Sequence, residues 1–224
     1  MISTSHALRE LVVRRDAEAA VTFELRTLWE QLRAGAWVFT DTFSTSQRCY
    51  GVLRTPHHPT ALSSRKLAVL ERMLLGTPAK VVAFESRRSL SSITAAMQDS
   101  IRAMGLDCRT SHASVLLSMA ATAQLRRELA NQRGRLSQLR IDDEDYTLVS
   151  ACRPDLQFPV ELSLAEAAVL RSLIAGSSHA EISGERARSP RTVANQLATA
   201  FRKLGVSGRR ATIGRLIEHS AQLG

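Results

Sequence analysis

The sequence predicts a mostly α protein of two tandem repeats, each a four-helix unit with a minor β-hairpin element ahead of it. Three observations predict this. A stretch recurs without gaps at an offset of 100 residues, helix caps and glycine stops recur with it, and apolar residues fall at spacings of three and four within each copy.

The stretch from Leu62 to Gly105 lies over Leu162 to Gly205, and eleven of the 44 aligned positions are identical. Leu62/Leu162, Val69/Val169, Gly76/Gly176, Ser89/Ser189 and Gly105/Gly205 are among them. At the positions that would face a core, many of the others pair apolar with apolar, as in Val82/Ile182, Ile93/Val193 and Met97/Leu197. Core positions repeat while surface positions drift, as expected of two copies of one fold.

Taken in chain order, Glu18 to Arg33 reads as a helix, with Val21, Leu25, Leu28 and Leu32 on one side. WVFTDTF and CYGVLR then suggest a hairpin, and the first copy follows. Val115 to Leu139 reads as a long Arg-rich helix; the acidic turn DDED and a strand YTLVSAC precede the second copy. There the first helix runs from about Leu164 to Ala175, with Ser163 as N-cap, Glu166 completing a capping box and Gly176 as the stop. Ser178 caps a short helix carrying Ile182. Ser189-Pro190 opens the third helix, in which Val193, Leu197, Phe201 and Leu204 form one apolar stripe before Gly205 closes it. Ala211, Ile213, Leu216 and Ile217 suggest a fourth.

Charge indicates the partner. A formal net charge of +9 with a pI near 10.6 calls for a polyanion, because Lys and Arg release counterions from phosphate backbones. Most of this charge is local. Between Ser183 and Arg215 there are eight basic side chains (Arg186, Arg188, Arg191, Arg202, Lys203, Arg209, Arg210, Arg215) against Glu185 alone, a surplus of seven. Opposite the apolar stripe of the third helix lie Arg191, Thr192, Ala194, Asn195, Ala198, Thr199 and Arg202, with Lys203 beside them. Such a face suits a major groove: small residues permit close approach, Asn can bridge adenine N6 and N7, and Arg and Thr reach phosphates or base edges.

SLAEAAVLRSLIAG and SPRTVANQLATAFRKLGVSGRRATIGRLIE resemble the LuxR-type (GerE-type) helix-turn-helix DNA-binding domain, over about Leu162 to Ile217. The most specific parts are SPRTV and FRKLGV followed by Arg209. The resemblance implies that Thr192 and Lys203 meet phosphates and that Ala194, Asn195, Gln196 and Thr199 face bases, with Arg188, Arg191, Arg202 and Arg209 around them. Two positions depart from the family pattern: Ala180 replaces a common Lys, and Arg188 stands where a small apolar residue usually precedes the Ser cap. The first copy resembles the same domain in degenerate form. Val81 and Ala103 replace the family's Glu and Lys, Asp99 would face phosphates, and from Ala83 to Val115 four arginines meet three acids.

The expected organisation is an N-terminal half, 1–112, with a degenerate helix-turn-helix at about 62–105; a linking helix, 113–140; and a C-terminal half, 141–224, with the DNA-binding unit at about 162–220. The expected partner is double-stranded DNA, with RNA polymerase as a further candidate, bound as a homodimer or as an intramolecular pseudo-dimer. Sequence-specific regulation of transcription competes with two alternatives, an adaptor of the transcription machinery and a nonspecific DNA binder.

No stretch reaches the roughly 18 apolar residues of a membrane span, so a cytoplasmic protein associated with the bacterial nucleoid is expected. Cys49, Cys108 and Cys152 give neither a zinc pattern nor a disulfide framework and read as small buried hydrophobes. His57-His58 sits in a Pro-flanked loop without further ligands, and Asp142 to Asp145 lacks calcium-loop spacing. Without a nucleophile motif, a phosphate-cradling loop or a paired acid and base, no enzyme, metal or cofactor is expected.

Overall fold

A computed structural model describes residues 2–107, 112–125, 133–153, 157–158 and 160–223. Its elements are α1 (Ile2–Ala19), β1 (Val21–Glu24), α2 (Leu25–Arg33), β2 (Val38–Ser44), β3 (Arg48–Arg54), α3 (Ser64–Leu74), α4 (Ala79–Glu85), α5 (Leu90–Ala103), α6 (His112–Leu125), β4 (Arg133–Ile141), β5 (Glu144–Cys152), α7 (Leu164–Ala175), α8 (His179–Glu185), α9 (Pro190–Leu204) and α10 (Arg209–Leu223). The protein is mostly helical, but the β structure is not minor. Both hairpins and β1 join in one antiparallel sheet of five strands, ordered β1-β4-β5-β3-β2.

Strand alternation divides the sheet into two faces. Cys49, Leu53, Val149 and Ala151 enter the main core, beside α2 and α6. Tyr50, Val52, Phe43 and Leu148 face the other way, onto Val12 of α1. Polar contacts fasten α1 there as well. Arg9 grips Asp41 with two hydrogen bonds (3.0 and 3.1 Å), and Ser150 donates to buried Asp16 (2.6 Å), whose other carboxylate oxygen lies 3.5 Å from Arg48 and 3.6 Å from Arg135.

Three expectations require correction. Glu18 to Arg33 is not one helix. Val21 to Glu24 pairs with β4, leaving Val21 61% exposed, and only from Leu25 do Leu28, Trp29 and Leu32 form a buried helical stripe. The long linking helix of 113–140 is likewise divided. α6 is described as far as Leu125, and RGRLSQLRI forms β4 between β1 and β5, so strand pairing overrides the helix-like distribution of arginines there. Residues 126–132 of that stretch, and Cys108, lie outside the described residues. Finally, of the two described cysteines Cys152 is exposed and Cys49 is the buried thiol expected.

α6 is apolar on every side and is buried accordingly, with Leu116, Ser118, Ala120 and Ala121 at 0% exposure. It packs on α2, β2, β3, α3 and α10, so it is the post around which the sheet and the helices assemble. The turn linking β4 and β5 has Asp142 and Asp143 both at positive φ (49° and 64°), as a two-residue hairpin with right-handed strand twist requires.

Helices α3, α4 and α5 begin 100 residues before α7, α8 and α9. Ser63 and Ser163 cap the first pair, Ser89 and Ser189 the third. Arg87 and Ala187 take positive φ (51° and 48°) in the same turn. Gly105 and Gly205 both adopt positive φ after the third helix, yet their surroundings differ. A Cβ on Gly105 would lie 2.2 Å from the Phe39 carbonyl oxygen, because the β2 bulge between Phe39 and Asp41 brings the strand against the end of α5; Gly205 has nothing within 4 Å.

Alanine substitution should separate the two effects. Gly205→Ala bears only the left-handed backbone cost, about 1 kcal/mol, whereas Gly105→Ala adds a main-chain clash and should cost about 3 kcal/mol. Denaturant midpoints measure both, and equal losses would refute the close approach at Phe39.

Candidate nucleic-acid interface

The local sequence sets α9 firmly in place. Ser189 accepts from the Thr192 amide (3.1 Å), Pro190 occupies the first turn, and Gly205 closes the helix in the left-handed region (φ 66°). Val193, Leu197, Ala200 and Leu204 are buried and belong to one core with Val169, Leu170 and Leu173 of α7 and Ile182 of α8. The opposite side is therefore held toward solvent. Arg191, Asn195, Ala198 and Arg202, at spacings of four, three and four, form an exposed stripe, with Ala194 exposed beside it.

The supporting helices are capped with matching care. α7 and α8 each begin with a complete capping box, Ser163 with Glu166 and Ser178 with Glu181. Glu166 also reaches beyond its own helix, since its carboxylate accepts from Lys203 at 2.8 Å and so ties the last turn of α9 to the first of α7. That bond, followed by the Ser163 amide, holds the Glu166 carboxyl below the ordinary glutamate range; the Ser178 amide does the same for Glu181.

Not every residue singled out from the sequence joins the exposed stripe. Thr192 and Thr199 are half-buried, and the Thr192 hydroxyl lies 2.9 Å from that of Ser189. Gln196 is half-buried too, and its Oε1 is enclosed without a hydrogen-bond partner. Lys203 is occupied by Glu166. Arg188 is exposed in the turn before α9, so it disturbs no packing of α8. Arg209 lies apart from α9: its guanidinium donates to the carbonyls of Ser177 (2.7 Å) and Gly176 (3.4 Å), bracing the turn between α7 and α8. The Lys203–Glu166 pair was not anticipated, since a separation of 37 residues falls outside any helical period.

The corresponding face of α3–α5 has a different chemistry. Ser91 and Ala95 stand where α9 has Arg191 and Asn195. Asp99 is paired with Lys66 (3.2 Å) and Arg102 (3.6 Å), and Val81, Phe84 and Leu90 are exposed at 40%, 84% and 43%. No helix among the described residues is long and apolar enough to cross a membrane, and no group of three or more potential metal ligands occurs among them.

Residues 160–215 match the family described as GerE, bacterial regulatory proteins, luxR family. α7 to α9 and the start of α10 thus form a LuxR-type helix-turn-helix, and the match leaves 62–105 outside it. No curated protein and no solved structure matches the chain.

The depressed Glu166 carboxyl makes a signed prediction. A group whose folded-state pKa lies below its unfolded value stabilises above the ordinary carboxylate range, and that contribution is lost as pH falls through the depressed value. Glu166→Gln should therefore lower the denaturant midpoint near neutrality, and the gap from the parent should close on acidification. A gap independent of pH would exclude the charged pair as its source.

Proposed function

We propose that this chain is a sequence-specific regulator of transcription that reads the major groove of duplex DNA with α9. One observation carries the proposal: the exposed stripe Arg191, Asn195, Ala198 and Arg202 stands on a helix fixed by its caps, its buried face and the Lys203–Glu166 pair. Ala194 and Ala198 leave room for base edges, Asn195 suits adenine, and Arg188, Arg191 and Arg202 suit phosphates or guanine. The LuxR-type match at 160–215 supports DNA as the partner. Thr192 with Ser189 offers hydroxyls to a phosphate, and Lys203 would contact one while still bridging to Glu166.

We read 62–105 as a degenerate counterpart of 162–205, supported by the common spacing of their helices, caps and positive-φ turns. In this arrangement the N-terminal half serves structure and protein contact, while the C-terminal half reads DNA. The packing of α6 against α10 favours an intramolecular pseudo-dimer over a homodimer. No enzymatic step is assigned, and the expected location is the cytoplasm, at the nucleoid. The exposed Val81, Phe84 and Leu90 favour a second reading, contact with a protein of the transcription machinery such as RNA polymerase.

Selection of duplexes from a random pool by the full-length chain, at near-physiological salt, tests the proposal. A recovered motif is expected. Asn195→Ala should relax preference at one base, costing about 1–3 kcal/mol there. Arg202→Ala should weaken all duplexes and reduce the salt slope by about 1. No enrichment, with binding that vanishes as salt rises, would sink base readout by α9.

A further inference from the structure

A cleft of about 800 Å³ opens between the two helical sets. One wall is the turn between α3 and α4, the other the equivalent turn between α7 and α8, and the floor is the start of α10. The first wall is seated on the floor by direct contact, because Gly76 lies so close to α10 that a Cβ there would be 2.8 Å from the Ala211 Cα.

The lining combines two characters. Met73, Leu173 and Phe201 make it apolar, whereas Lys80, His179, Arg209 and Arg210 converge from both walls and the floor; none of the described residues lining it is acidic. Arg209 is the most informative of these. Its Nη2 donates to the Gly176 and Ser177 carbonyls, which fixes the guanidinium between the floor of the cleft and the second wall. Burial and then the adjacent Arg210 lower the Arg209 pKa, with Glu181 pulling the other way, so a further anion nearby would favour its charged form.

We propose that this cleft binds a small amphiphilic anion, its phosphate, sulfonate or carboxylate head held by Lys80, His179 and Arg209 and its apolar part against Met73, Leu173 and Phe201. Such a ligand bridges the two helical sets. The site does not depend on α9 reading DNA, and its primary test is a probe titration without DNA.

The probe is 1-anilinonaphthalene-8-sulfonate, titrated by fluorescence into the folded full-length chain, with near-UV circular dichroism verifying the fold of each variant. One saturable site per chain is expected. Lys80→Glu, which reverses a head-group contact, and Ala79→Trp, which fills the cleft from the first wall, should each weaken it by about tenfold or more, as loss of a charged hydrogen bond would. Non-saturating binding, or equal affinity in the parent and both variants, would overturn the assignment. A third arm adds duplex DNA. If duplex displaces the probe and Lys80→Glu weakens duplex binding to the same degree, the cleft takes a backbone phosphate and the small-molecule assignment fails. If the probe and duplex bind together, it stands.

Discussion

Strand β3 gives one edge to β2 and the other to β5, in a register that sets Arg48 opposite Cys152 and Cys49 opposite Ala151. This pairing joins two hairpins that would otherwise belong to separate halves. Each hairpin is followed in the chain by a helical set, so the β3–β5 contact also brings the two sets together. The Asp16 carboxylate lies across this junction, receiving Ser150 and facing Arg48 and Arg135 from three strands at once. A buried carboxylate with that many partners gives little net stability, but it admits few other registers.

On the other face, α6 completes the joint. It is the element most uniformly buried among the described residues, and it touches α3 from the first helical set and α10 from the second. α9 is carried on α7 and α8, whose bearing on the rest of the molecule passes through α10 to α6. The exposed stripe of α9 is therefore held by a chain of packed helices, and its aim is set by the core rather than by a tether.

Much of the helical unit was legible in the sequence because its signals are local. Ser163 with Glu166, Ser189 with Pro190, and the glycines at 176 and 205 act within a turn of where they stand, and the stripe of α9 repeats on the helical period. The sheet was hidden because its logic is distant. β1 is a four-residue strand that exists by pairing with Arg133 to Leu136, and α6 was lost inside a longer arginine-rich stretch. The candidate site divides in the same way. Arg191, Asn195 and Arg202 follow from periodicity, whereas the diversion of Lys203 to Glu166, of Arg209 to Gly176 and Ser177, and of Gln196 into the surface depends on neighbours that periodicity does not reveal.

The join between the hairpins also has a consequence in time. Synthesis runs from the N-terminus, so β2 and β3 leave the ribosome with two of the five strands still unmade, and β3 cannot meet β5 until about 100 further residues have been added. At roughly 5–20 residues per second the open edge of β3, with apolar Cys49, Val52 and Leu53 along it, waits about 5 to 20 s for its partner. An unpaired apolar edge is where strands of different chains find one another. A pause in translation between the two hairpins would lengthen the time for which that edge stands open.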